Sequence, residues 1–297
     1  MKILLLGANG QVGWELRRAL APLGPVTALG RNGADLANLE GLRAIVSTAK
    51  ADVIVNAAAY TAVDKAETER DLATRINATA VGVIAEEAKK SGALLVHYST
   101  DYVYDGTKSS AYVETDATNP LCHYAATKLA GEDAMRAAGV RHLIFRTSWV
   151  YAPRGNNFPR TMLRLAASRK QLTVVADQTG APTSAELIAD VTAQVLARRP
   201  ADNLLGTYHL TAAGETTWHA YARRILALAA AQGFALQAGP DDVAPIATVD
   251  YPTPAKRIAN SRLATDKLRA AFGLTLPSWD ANFDRFLAEL PPAEPHK

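Results

Sequence analysis

The chain has 297 residues, of which 48% are hydrophobic and 21% charged, and its formal net charge is +3. That composition suits a soluble globular chain of one large or two modest lobes, and so small a charge argues against a nucleic-acid or anionic-membrane partner. Its one cysteine, Cys122, excludes an internal disulfide and a cysteine-based zinc site and fits a reducing cytoplasm. The apolar run after Lys2 is too short for a secretory leader or a membrane span.

In chain order, KILLL (2–6) reads as a buried strand, 11–23 as a helix, and PVTAL (25–29) as a second strand. A helix follows to about 49, then a third strand at 52–58 and a long helical pattern over 70–90. ALLVHYS (93–99) is a fourth strand, 121–138 a helix, and RHLIFR (141–146) a fifth strand. Apolar strands alternating with helices predict an α/β fold, a doubly wound parallel sheet covered on both faces. Beyond about 150 the pattern loosens into helices near 157–168, 185–198, 215–232 and 279–288. We therefore expect a dinucleotide-binding domain over 1–150 and a smaller substrate-binding lobe over 151–297, interleaved with it. The tail LPPAEPHK reads as frayed.

GANGQVG puts Gly7, Gly10 and Gly13 between the first strand and its helix, with Gln11 and Val12 opening that helix. Such glycines permit a tight turn, a close approach of backbone to a pyrophosphate, and tight strand–helix packing. At the end of the second strand an acid would bind a ribose 2′-hydroxyl, whereas an arginine accommodates a 2′-phosphate. Here Gly30 and Arg31 stand there, which favours NADPH over NADH.

Two Tyr-x-x-x-Lys pairs are present, Tyr104/Lys108 and Tyr124/Lys128. The first flanks an Asp-Gly turn signature; the second sits among helix formers, where a spacing of four stacks side chains on one face. Tyr124 and Lys128 are the better candidates for proton donor and lysine partner. A lysine cation one turn away should draw the phenol down from its ordinary pKa of about 10. Thr100 and Asp101 end the fourth strand, where ligands of open α/β sheets gather. Thr100 is a candidate donor to a carbonyl oxygen. Trp149 follows the fifth strand at the same edge. His209 and His219 have no paired ligand spacing and read as structural. Asn77-Ala78-Thr79 reads as a chance match to a glycosylation acceptor.

Together these features resemble the extended short-chain dehydrogenase/reductase family. NAAAYTAVDKAE, HYSTDYVYDG, DQTGAPTSAELIAD and YPTPAKRIANSRL, with the segment around TSWVY, are similar to its dTDP-4-dehydrorhamnose reductases over about residues 1–290. The resemblance implies reduction of the 4-keto group of dTDP-4-dehydro-L-rhamnose to dTDP-L-rhamnose in the cytoplasm. It implies cofactor contacts at Asp35, Leu36, Ala59, Tyr60 and Thr61, and substrate contacts at Thr100, Asp101 and Trp149. It also implies a homodimer around structural Mg²⁺ held by Glu15, Glu186 and Glu289. Two other readings stay open: a reductase forming a 6-deoxy-talose, and a non-catalytic subunit like the beta subunit of methionine adenosyltransferase.

Overall fold

The computed structural model describes residues 1–290; the frayed tail expected over 290–297 lies outside them except for Leu290. The elements of the first half are β1 (Ile3–Leu6), α1 (Gln11–Leu20), β2 (Val26–Leu29), α2 (Leu39–Ala49), β3 (Val53–Asn56), α3 (Arg70–Thr74), α4 (Ala80–Ser91), β4 (Leu94–Thr100), α5 (His123–Ala138) and β5 (His142–Thr147). The second half holds β6 (Val150–Tyr151), α6 (Phe158–Ala166), β7 (Leu172–Val175), β8 (Thr179–Gly180), β9 (Thr183–Ser184), α7 (Ala185–Ala197), β10 (Gly206–His209), β11 (Thr216–Thr217), α8 (Trp218–Ala231), β12 (Val243–Ile246), α9 (Asp266–Phe272) and α10 (Phe283–Ala288).

Six parallel strands form the main sheet in the order β10-β5-β4-β3-β1-β2. Strand periodicity explains why both faces are apolar. Ile3, Leu5, Val53 and Val55 face the layer of α1 and α7, while Leu4, Leu6 and Ile54 face that of α2, α4 and α5. Each fully buried aliphatic side chain contributes roughly 1.5–3 kcal/mol. The sequence expectation named five strands. The sixth, β10, comes from beyond residue 200 and pairs with β5, and α9 packs beside it. β6, α6, β7, α8, β12 and α10 surround an aromatic cluster of Tyr151, Tyr221, Phe283 and Phe286. Among the described residues no helix is long and apolar enough to cross a membrane.

The helical run expected over 70–90 is interrupted. Between α3 and α4 the chain makes a π turn, Arg75–Thr79. The cause is a close crossing with α5: a Cβ added to Gly131 would lie 2.2 Å from the Asn77 carbonyl oxygen. The same crossing buries the Asn77 side chain, which donates to the Tyr60 carbonyl (3.0 Å) and to Thr127 Oγ1 (3.1 Å). A buried amide so engaged has no room for a glycan.

Candidate active site

From β1 the chain runs outward to β2 and then crosses back to β3. That reversal leaves a crevice at the carboxyl ends of the strands, where such sheets bind ligands. A cavity of about 260 Å³ lies there, lined by residues that follow all three strands, including Gly7, Gly10, Arg31, Asp35, Leu36 and Ala59. Gly7 has φ +81, and a Cβ on it would lie 2.5 Å from the Ala58 nitrogen. A Cβ on Gly13 would lie 2.0 Å from the Gly7 carbonyl oxygen. Only glycine lets α1 start so close to the strand. α1 begins at Gly10 with no side-chain cap and no acid in its first turn. The first-turn N–H groups of Gln11, Val12 and Gly13 are thus oriented to suit an anion.

Of the expected cofactor residues, Gln11, Val12, Gly13, Tyr60, Thr61, Tyr124 and Lys128 lie outside this lining. The Tyr60 N–H donates to Asn77 Oδ1 (2.8 Å) and its hydroxyl to Glu69 (2.8 Å), and Thr61 is exposed. The sequence reading missed Asn9, whose amide fills the space a side chain at Gly30 would need: a Cβ there would lie 2.3 Å from Nδ2. It also missed Ala34, Ala57, Ala58 and Ile76 in the lining.

One strand along, β4 ends in Thr100, and α5 lies over it. Thr100 Oγ1 donates to Asp101 Oδ1 (2.9 Å) and accepts from the Tyr102 N–H (3.2 Å). The hydroxyl therefore caps the short turn at Asp101–Val103, and it must rotate to give its one proton to a substrate. Asp101 is buried with Oδ2 unpartnered. Burial pushes its carboxyl up to about 6, against contacts with the Ser261 and Thr100 hydroxyls.

Tyr124 and Lys128 share α5, as expected, whereas Tyr104 closes a turn and Lys108 lies in a loop, paired with Asp116 (2.6 Å). The expected pull of Lys128 on the phenol is not what dominates. Burial, beside Tyr102, Cys122 and Ala125, pushes Tyr124 well above its ordinary value, and a contact with Thr100 only partly offsets this. The lysine amine is turned inward: Nζ donates to the Tyr98 carbonyl (2.6 Å) and lies 3.1 Å from His97 Nε2. Burial pushes Lys128 down to about 8, opposed by Glu132. His97 went unnoticed in the sequence because it sits mid-strand with no paired ligand spacing.

Trp149 stands beyond β5 with φ +49, a conformation that costs a bulky residue about 1–2 kcal/mol. What holds it is stacking on Trp218, with ring centroids 3.5 Å apart, and the lack of a side chain at Gly180, where a Cβ would lie 2.7 Å from its ring. Trp218, also missed, forms with Trp149 a flat aromatic wall.

Glu15, Glu186 and Glu289 converge on one small cavity between α1, α7 and α10. Their carboxylates are engaged by guanidinium groups, Glu186 with Arg285 (2.9 Å), Glu289 with Arg285 (3.2 Å) and Glu15 with Arg18 (3.6 Å). Among the described residues no group of three or more His, Cys, Asp or Glu is arranged to hold a metal ion. Within one chain the glutamates expected to hold Mg²⁺ form an arginine–glutamate cluster.

His209 is structural, as expected. Its Nδ1 meets the Ala264 carbonyl (3.1 Å), so Nε2 accepts from the Tyr104 hydroxyl (2.8 Å), which in turn accepts from Arg146 (2.7 Å). Arg146 is bound by the buried Glu132 of α5 (2.6 Å).

Known proteins share this fold and much of this sequence. The model of the RmlD substrate binding domain matches residues 1–291. A dTDP-4-dehydrorhamnose reductase of Burkholderia thailandensis is 53% identical, covering 94% of this chain and 95% of its own. One from Escherichia coli is 50% identical, covering 98% of each. Among solved structures, the reductase of Bacillus anthracis in complex with NADP superposes with a TM-score of 0.89 at 34% identity, over 97% of this chain and all (100%) of that one. A dTDP-glucose 4,6-dehydratase of Streptomyces venezuelae, at 19% identity and a TM-score of 0.78, shares the fold. With a glycine-built nucleotide cavity, a Tyr-x-x-x-Lys helix beside it and relatives matched end to end, the chain belongs to the dTDP-4-dehydrorhamnose reductases and is an oxidoreductase of that family.

Proposed function

We propose that this protein reduces the 4-keto group of dTDP-4-dehydro-L-rhamnose with NADPH, giving dTDP-L-rhamnose. The observation that carries the reading is the placement of Thr100, Tyr124 and Lys128 at the carboxyl end of β4, next to the cavity that holds Arg31. The cavity suits a dinucleotide: Gly7 and Gly10 line it, and α1 opens beside it with no side-chain cap and no acid in its first turn. NADPH over NADH is supported by Arg31 in the lining, by the missing acid at Gly30, and by the NADP bound to the Bacillus anthracis relative.

NADPH, when bound, supplies the hydride. Tyr124 donates its phenolic proton to the oxygen that becomes the alkoxide; its burial keeps it protonated at working pH, as a donor must be. Thr100, once its hydroxyl rotates from Asp101, is a second donor to that oxygen. Lys128, one turn along α5, is anchored to β4 by the Tyr98 carbonyl and fixes that face of the helix beside Tyr124. The Trp149–Trp218 wall offers a flat apolar face to a sugar ring or a base. The cytoplasmic setting and the homodimer implied by the resemblance belong to this reading; the metal bridge does not.

The test is NADPH oxidation with dTDP-4-dehydro-L-rhamnose, followed by identification of the sugar formed. A rhamnose product supports the reading. A 6-deoxy-talose product would mean that hydride reaches the other face, and no oxidation would make the chain a binding protein.

A further inference from the structure

Behind Lys128 lies a chain of buried polar side chains that the proposed chemistry leaves unused. Asn56 ends β3 and His97 lies beside it on β4, as paired residues of the sheet. Asn56 and His97 are each 1% exposed and Lys128 is 2% exposed. Asn56 Nδ2 is 3.2 Å from His97 Nδ1, and His97 Nε2 is 3.1 Å from Lys128 Nζ.

The hydrogens in this chain can be assigned from its two ends. The Ala58 backbone N–H donates to Asn56 Oδ1 (3.1 Å), which fixes that oxygen and turns Nδ2, a donor, toward His97. With Nδ2 as donor, Nδ1 accepts, and a neutral imidazole carries its proton on Nε2, against the pull of the Asn56 backbone carbonyl on a ring proton. That proton points at Lys128. At the other end, the Tyr98 carbonyl accepts from Nζ (2.6 Å). A neutral amine satisfies every group: it donates to Tyr98 and accepts from Nε2–H. An ammonium sets donor against donor unless the Asn56 amide turns over and gives up the Ala58 N–H.

We propose that Asn56 and His97 are positioning residues for Lys128, a buried hydrogen-bond chain that sets both the place of the catalytic amine and its protonation. This rests on the assignment of Lys128 to the reduction. The neutral amine is the form that leaves every donor and acceptor of this chain partnered. Burial already moves Lys128 in the same direction, to about 8.

The remaining charged neighbours act otherwise. Glu132, one turn along α5, opposes the neutral form but is held by Arg146 of β5 and by Arg136. Asp101 and Cys122 act on Tyr124. Glu67, in the turn before α3, accepts from the His123 N–H. The π turn meets α5 through Asn77 and Thr127, both neutral, and the residue paired with His97 on β5 is Ile144.

His97→Gln and Asn56→Asp test the proposal. A glutamine at 97 can turn its carbonyl to the ammonium. An aspartate at 56 draws the imidazole proton to Nδ1, freeing Nε2 to accept from Lys128, and still serves the Ala58 N–H. The direct readout is the titration of Lys128 by NMR on protein with ¹³C-labelled lysine, the signal assigned with Lys128→Met. Both variants should raise the Lys128 midpoint by about one pH unit, and the corresponding limb of the kcat–pH profile should move with it. If the midpoint stays put in whichever variant folds, the chain is structural packing and the proposal is wrong. This readout needs no turnover: failure to reduce the keto-sugar would overturn the assigned reaction, and an unmoved midpoint would overturn the positioning role of Asn56 and His97.

Discussion

In the nucleotide cavity Arg31 is positive and Asp35 negative, and Asp35 is engaged in accepting the Ala37 N–H (3.0 Å). Only NADPH carries a 2′-phosphate for the guanidinium to meet. Replacing Arg31 by alanine should therefore raise KM for NADPH by roughly 10–100-fold, the worth of a hydrogen bond to a charged group, and leave KM for NADH unchanged. Equal loss with both cofactors would reduce Arg31 to a surface charge. Arg31, Tyr124, Lys128 and Thr100 were legible in the sequence because each sits at a fixed offset from a strand end or within a short motif. His97 was not, because a mid-strand polar residue signals nothing until its neighbours on other strands and helices are known, and Asn56, at the end of β3, gains its role only through its contact with that ring. The direction of the Tyr124 shift was misread for a related reason: spacing shows Lys128 nearby, but only the fold shows its amine turned away toward Tyr98.

At the scale of elements, α5 is pinned at both ends of its active face. Lys128 reaches β4, and one turn on Glu132 binds Arg146 of β5, whose other contact is the Tyr104 hydroxyl. Tyr104→Phe should leave kcat near that of the native enzyme, since Tyr104 is not the proton donor. It should lower stability by about 1–3 kcal/mol, because Arg146 and His209 each lose a buried partner. Thermal unfolding beside a turnover assay separates the two effects; a large fall in kcat with unchanged stability would mean that the wrong Tyr–Lys pair has been chosen. The strands of the first half were readable because they are apolar on both faces and bounded by turns. The π turn and β10 were not. The first depends on how closely Gly131 lets two helices cross, and the second is a four-residue strand that gains its meaning from pairing with β5. The three glutamates were rightly grouped, but Arg18 and Arg285, which take up their charge, carry no motif.

For the whole molecule, the buried titratable groups set how stability depends on pH. His209 is pushed down to about 3 and His97 well below its ordinary value, both chiefly by burial. From about pH 6.5 downward the unfolded chain binds two protons that the folded one refuses, which favours unfolding as the pH falls. Asp101, raised to about 6, acts in the opposite sense: between about pH 6 and 4 the folded state binds a proton that the unfolded state does not. Among these three groups the balance is one proton, so stability should fall by roughly 1.4 kcal/mol per unit between pH 6 and 5, and more steeply below that, where Glu132, held down against its burial by Arg146, adds to the fall. Denaturant unfolding at a series of pH values measures the slope; a flat or rising stability on acidification would mean that the histidines are not held neutral. The central claim is that this fold places a protonated Tyr124 where hydride reduction of a keto-sugar needs an acid. It is tested most directly by turnover of NADPH with dTDP-4-dehydro-L-rhamnose, native protein against Tyr124→Phe, with cofactor affinity measured in parallel. We expect kcat to fall by roughly 10²–10⁴ with NADPH affinity nearly kept; near-native turnover by the phenylalanine variant would contradict the account.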